Sequence, residues 1–358
     1  MTRIVLFLSV LVLMVPAPVL AATYNWVGLD SDWDIKTNWD PNSNFPGLND
    51  QAIIANGHEA AVTHIDGIHQ LEVGPGSALK IGYSTPGIAA FWFQHATKAD
   101  DVLNNGTIRV GGPGYTGNMS CWSDTVTLHG SGNLVLGGHY PDDSLNNAGN
   151  GGKFINTAGH TIRGGGQIQA LGVNQGQVIA DNGGLYIQCP MDNTGGTMSA
   201  SGAGNVLLIY GGGNVTGGQI NPQDGGKITL TGCTLADTSF GPGLVEVVKD
   251  WWSWNVYFQN MITLVPGTTL NIAAGHGESE WNGINFGPDN GSEQQHPCRT
   301  AKESLFCPDR PCQLELGNQQ RPEAEGPGAL AEPGSGGPGL WGFQYRPDQQ
   351  LRPAQIAA

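Results

Sequence analysis

Apolar residues recur at every second position in short runs along this chain, and between Asn156 and Leu235 the runs themselves recur about every twenty residues. Leu71-Glu-Val73, Leu79-Lys-Ile81, Ile108-Arg-Val110 and Leu134-Val-Leu136 each place two apolar side chains on one side of an extended segment. Between Asn156 and Leu235 the runs acquire a common preface of an Asn and one or two Gly. Asn174-Gln-Gly-Gln-Val178-Ile-Ala180 precedes Asn182-Gly-Gly-Leu185-Tyr-Ile187. Asn193-Thr-Gly-Gly-Thr-Met198-Ser-Ala200 precedes Gly204-Asn-Val206-Leu-Leu208-Ile. Gly217-Gly-Gln-Ile220 and Gly225-Gly-Lys-Ile228-Thr-Leu230 keep the beat, and Ile187, Ile209 and Leu230 hold equivalent places, 22 and 21 residues apart. A fixed period of this size means stacked units. One unit has too few apolar residues to bury a face alone, so successive coils must share an interior. The pattern predicts an all-β chain folded as a parallel β-helix, a solenoid of about 11 coils. No amphipathic helix of ten or more residues interrupts it.

Departures from the beat divide the chain. Residues 1–21 have a basic start, an apolar run from Ile4 to Met14 and small residues ending at Ala21, which reads as a secretory signal peptide. Residues 22–60 set Trp26, Trp33 and Trp39 among polar turns, an aromatic cap for the open end of the solenoid. Residues 61–290 form the β-helix, with Phe91-Trp-Phe93 expected to be buried in its first coils. Within it, 111–124 and 138–151 are rich in Gly, Asn, Asp and Pro and read as projecting loops. Residues 291–358 hold 9 of the 22 Pro and no Val, a composition expected to be disordered.

Composition narrows the partners. Net charge of −15 argues against nucleic acid or an anionic membrane, both of which need clustered Lys and Arg. After the signal peptide no apolar run approaches a membrane span, so the mature chain is expected to be secreted or on the cell surface. Cys121, Cys189 and Cys233 are far apart in strand-like runs and are expected as buried thiols. Cys298, Cys307 and Cys312 match no zinc spacing.

The opening Trp26-x-Gly28, Trp33, Asn38-Trp39, Pro46-Gly47 and Asp50, followed by Gly/Asn-rich strands such as Asn193-Thr-Gly-Gly-Thr, resembles a group of secreted bacterial proteins. These are autotransporter passengers and related surface β-solenoid proteins, several with a PEP-CTERM sorting tail. The resemblance spans about residues 23–275 and implies a right-handed parallel β-helix outside the cell with an adhesive or matrix role. Residues 291–358 carry neither the alternating strands of a translocator barrel nor a hydrophobic helix with a basic end, so they suggest no means of surface attachment.

Candidate chemistry is sparse. Trp251, Trp252 and Trp254 with Tyr257 are the candidate ligand-binding residues, because aromatic faces stack on sugars; large aromatics also bury well beneath a loop, so packing competes with binding. The implied partner is an extracellular polysaccharide or cell-surface glycan. Asp30, Asp32 and Asp34 alternate as in a calcium loop, yet the sixth and twelfth positions are Ile35 and Pro41, and a polar turn fits better. A polysaccharide lyase or glycoside hydrolase on the same scaffold is the rival function, for which Asp100-Asp101 and Asp142-Asp143 supply carboxylates. Arg109 and Arg163 each follow an apolar strand residue and read as outward partners for acids. No motif marks a catalytic residue, a metal or a cofactor, and the expectation is a structural or adhesive protein that binds glycans.

Overall fold

The computed structural model describes residues 21–82, 89–93, 100–122, 125–138, 141–149, 151–248 and 256–273, with further strands at Ile284–Phe286, Ser304–Phe306 and Cys312–Glu315. Among them the sole helical element is a 3-10 turn at Lys36–Asn38, and no helix is long and apolar enough to cross a membrane. The chain is a parallel β-helix with three faces. On the first, Gln51–Ile54, Gln70–Val73, Asp100–Asn104, Thr125–His129 and Lys153–Asn156 pair in parallel succession. On the second, Glu59–Val62, Ala78–Ile81, Thr107–Val110 and Asn133–Gly137 do the same. On the third, Ile65–Ile68 leads to Ala89–Phe93, Gly117–Cys121 and Ser144–Asn146. Thr161–Ile168 and Gln177–Ile187 each serve both second and third faces, their mutual register shifting between Gly164 and Gly166.

The period-two pattern explains the interior. Leu79, Ile108, Leu134, Ile162, Val178 and Met198 stack in one inward column of the second face, all fully buried. Each such side chain contributes roughly 1.5–3 kcal/mol of burial, and parallel register delivers like residues to like positions coil after coil. The strands Gly117–Cys121 and Ser144–Asn146 correct the reading of 111–124 and 138–151 as loops. Met119, Cys121 and Leu145 point inward there, while the residues between them are polar, which thins the apolar signal.

At the N-terminal end the three tryptophans are buried and meet edge to face: Trp26 and Trp39 at 5.0 Å, Trp39 and Trp33 at 4.7 Å. Trp39 Nε1 donates to the Trp33 carbonyl at 2.8 Å. The series continues into the coils through Phe91, Phe93 and Phe154, at centroid separations of 5.3, 5.5 and 6.4 Å. Trp92 does not share this burial. Strand alternation sends Phe91 and Phe93 inward and Trp92 outward, where it is half-buried.

A second interior column is polar. Asn156, Asn174 and Asn193 lie at the corner that follows the first face, and each side-chain amide bonds to the next: Asn156 Nδ2 donates to Asn174 Oδ1 and Asn174 Nδ2 to Asn193 Oδ1, both at 2.7 Å. Asn193 ends the run on the Gly217 carbonyl at 3.4 Å. In the opposite direction the column turns apolar, with Leu128 in register with Asn156 and Val102 beyond it. His160 links its end to a different buried amide, with Nδ1 2.7 Å from Asn156 Oδ1 and Nε2 3.1 Å from Asn104 Nδ2. The Gly of the repeated phrase has a steric role at this corner, since a Cβ on Gly196 would lie 2.3 Å from the Asn174 carbonyl oxygen.

Burial, with a smaller push from His129, lowers the His160 pKa to about 4. Between pH 6.5 and 4 the unfolded chain therefore binds a proton that the folded chain refuses, and stability falls as pH falls. The expected loss over that window is about 3 kcal/mol at most. Denaturant titrations at several pH values check it: His160→Gln should flatten the acid slope even if it lowers stability at neutral pH.

Most of residues 291–358, expected to be disordered, lies outside the described residues. Two pieces of it are strands that meet the last coils in antiparallel pairs, Cys312–Glu315 on Met261–Leu264 and Ser304–Phe306 on Thr269–Asn271. They close the ladders rather than extend them.

Candidate functional site

The outward sides of the three faces differ in chemistry. The second face carries ion pairs: Arg109 with Glu59 at 2.9 Å and Arg163 with Asp181, so both arginines do face outward onto acids. On the first face His129 meets Asp101 at 2.7 Å. The third face is different. From Ala90 onward one outward column runs Asn118, Ser144, Gln167, Tyr186 and Leu208. Beside it a second runs Trp92, Ser120, Asn146, Gln169, Gln188 and Tyr210, one residue per coil. Neither stretch holds a Lys, Arg, Asp or Glu.

These side chains are tied to one another. Ser120 Oγ lies 2.6 Å from Asn146 Oδ1 and 3.0 Å from Asn118 Oδ1, and Asn146 Nδ2 donates to Ser144 Oγ at 3.2 Å. Gln167 Nε2 bonds to Gln188 Oε1 and reaches the Tyr210 hydroxyl at 3.3 Å, while Gln169 Nε2 approaches the same Gln188 oxygen at 3.3 Å. Aromatic pairs bracket the strip. Trp92 and Trp122 are 5.2 Å apart with their planes tilted by 34°, and Tyr186 and Tyr210 meet edge to face at 6.0 Å. Trp92, Trp122, Tyr186 and Tyr210 are all half-buried, so each ring packs on the sheet and keeps a surface toward solvent. Parallel stacking fixes the spacing, at about 4.8 Å per coil.

At the cap end the strip opens into a cleft of about 260 Å3 lined by Phe45, Leu48, Ile65, Asp66, Gly67 and Trp92, among other residues. Leu48 and Ile65 are exposed there, a small apolar patch beside the Trp92 ring. Asp66 pairs in register with the inward Phe91, and its Oδ2 is buried without a hydrogen-bond partner. Burial raises its pKa to about 6, helped by the charge of Asp34 and a hydrogen bond to it; the nearby His64 opposes the rise. His64 Nδ1 is 3.3 Å from Asp34 Oδ2. Because the raised pKa means that the folded state holds this proton more tightly, Asp66 adds stability below pH 3.8 and loses that contribution as pH rises through 6, a slope opposite to that of His160.

The residues singled out in the sequence fare unevenly. Trp251, Trp252 and Trp254 lie outside the described residues. Tyr257 is half-buried on the outward side of the first face, between Thr234 and Asn285 in adjacent coils, and so does not join the third-face strip. Asp30 accepts the Glu59 amide at 2.8 Å and Asp34 turns to His64, so the three alternating carboxylates diverge as a polar turn would have them. Among the described residues no three His, Cys, Asp or Glu stand together as a metal site. Asp143 is fully buried, and its Oδ1 accepts the Gly117 amide at 3.2 Å, pinning the preceding loop. Cys121, Cys189 and Cys233 are buried thiols, and burial lifts Cys189 to about 11 and Cys233 to about 12, far from a reactive thiolate.

The strip is not apparent in the sequence because two of its strands, Gly117–Cys121 and Ser144–Asn146, carry few apolar residues. The available signal was alternation: Asn118, Ser120, Ser144 and Asn146 flank inward Met119 and Leu145. No family model matches this chain, and no curated protein or solved structure matches it either.

Proposed function

We propose that this chain is an exported structural or adhesive protein of the cell surface or extracellular matrix, and that it binds glycan on its third face. The supporting observation is the row of accessible amides, Asn118, Asn146, Gln169 and Gln188, bracketed by half-buried Trp and Tyr pairs and backed by the buried Ser120, Ser144 and Gln167. Amides and hydroxyls exchange hydrogen bonds with sugar hydroxyls, and aromatic faces cover the apolar faces of the rings. The leader at residues 1–21 supports export, and the scarcity of Lys and Arg disfavours nucleic acid.

The catalytic alternative has one arrangement in its favour, the Asp34 and Asp66 pair beside the apolar cleft. Glycoside hydrolysis sets its two carboxyl groups about 5–9.5 Å apart across the scissile bond, whereas this pair is hydrogen-bonded together. A glycan array combined with a reducing-sugar assay tests both readings. Binding is expected without release of new reducing ends, and Trp92→Ala is expected to weaken it roughly tenfold. Turnover that disappears in Asp66→Asn would replace the binding role with an enzymatic one.

A further inference from the structure

The glycan reading leaves the class of polysaccharide open, and the third face narrows it. From Trp92 to Tyr210 the two outward columns contain no ionisable side chain other than the tyrosines themselves. The cations of the coils lie elsewhere: Lys80, Arg109 and Arg163 occupy one outward column of the second face. Arg109 and Arg163 are paired with acids, and Lys80 Nζ sits 3.8 Å from the centre of the Tyr115 ring. The nearest described cation along the third face, Lys227, is one coil beyond Val206 and bonded to Glu246 at 2.8 Å. A chain of uronic acids or sulfated sugars would bring a negative charge to nearly every coil and find no counter-charge on a protein of net charge −15.

The strip is also directional. Trp92, Ser120, Asn146, Gln169, Gln188 and Tyr210 are six consecutive rungs, so five steps separate the aromatic ends, a distance on the order of 24 Å. Polar groups repeat along that line at the strand spacing, and the hydrogen bonds among them hold their orientations in advance. Pre-set donors and acceptors lower the ordering cost of binding. A compact ligand would touch two or three rungs, whereas an extended chain would touch the five that keep exposed surface, Ser120 being buried.

We infer that the third face holds a linear, uncharged polysaccharide lying along the axis of the β-helix, from the Trp92 and Trp122 pair to the Tyr186 and Tyr210 pair. This inference rests on the glycan reading above and adds to it the charge class and the orientation of the chain.

Affinity electrophoresis of the full chain provides the test, with soluble hydroxyethylcellulose, galactomannan and laminarin as uncharged probes, and carboxymethylcellulose, alginate and polygalacturonate as charged ones. At least one uncharged probe is expected to retard the protein. Carboxymethylcellulose, which shares a backbone with hydroxyethylcellulose, is expected to bind at least tenfold more weakly than that probe if hydroxyethylcellulose binds at all. Tyr210→Ala and Gln188→Glu should each reduce retardation at least fivefold, while Val135→Ala, on the second face, leaves it unchanged; unaltered thermal melting shows that the variants are folded. Oligosaccharides of the retarding polymer should gain affinity with length until the strip is filled.

The failures separate. Retardation by charged probes, lost in Tyr210→Ala, overturns the uncharged class and leaves glycan binding standing. Retardation indifferent to Tyr210→Ala and Gln188→Glu overturns the third-face site, and affinity that stops rising after two sugars overturns the axial orientation. A protein retarded by no polysaccharide overturns the glycan reading itself.

Discussion

Replacing Trp39 with Ala is expected to destabilise the N-terminal coils by about 3–5 kcal/mol, the range for deleting a fully buried large aromatic. Three losses combine. The ring contacts with Trp26 and Trp33 disappear, a cavity opens at the end of the aromatic series, and the Trp33 carbonyl loses the Nε1 donor at 2.8 Å. In a solenoid each coil touches only its neighbours, so the damage should be local. Hydrogen exchange is the appropriate readout. Amides between Thr23 and Phe93 should exchange faster in the variant, while those of the coils from Val206 to Leu230 keep their protection. Uniform acceleration along the chain would mean that the rod unfolds as one unit and that the tryptophans are not a local closure.

The second large effect concerns two asparagines that look alike in sequence. Asn174 and Asn182 both open a Gly-containing phrase, yet the first is fully buried and the second exposed. Asn174→Ala removes the acceptor of Asn156 Nδ2 and the donor to Asn193 Oδ1. It leaves one of the two buried amides short of a partner and adds a small void, and the expected cost is about 3–4 kcal/mol. Asn182→Ala removes a solvent-facing bond to the Gly137 carbonyl at 3.0 Å, for which a loss of about 1 kcal/mol or less is expected. Chemical denaturation of the two variants side by side gives the comparison. Equal losses would show that the amide column contributes no more than a surface turn.

The architecture was legible because alternation and period survive in the sequence wherever inward positions are apolar. Ile187, Ile209 and Leu230 hold equivalent places in the repeat, and they stack in register in the structure. The buried asparagine column was visible only as a repeated letter. Nothing local distinguishes Asn174 from Asn182, since which one points inward depends on where the chain turns its corner. His160 was harder still. It reaches Asn104, 56 residues earlier and outside the register of the asparagine column, and such a contact has no signature in one coil. Trp92 sits between two inward phenylalanines in an unbroken apolar run, which hides that strand alternation turns it outward. The candidate site escaped notice for the converse reason to the core: Asn118, Ser120, Ser144 and Asn146 make strands read as loops, because a strand that presents amides to solvent on a short stretch has little apolar residue left to announce it.

The outermost strand at the cap has a consequence for how such rods would meet. Trp39–Asp40 is two residues long and runs opposite to Asn25–Trp26, on which it lies. Every other rung of that face among the described residues runs one way, so a second molecule approaching end-on would find its template reversed and cut short. Head-to-tail growth into a filament would have to displace this strand first, together with the tryptophan it carries, and the molecule thereby discourages its own polymerisation at that end.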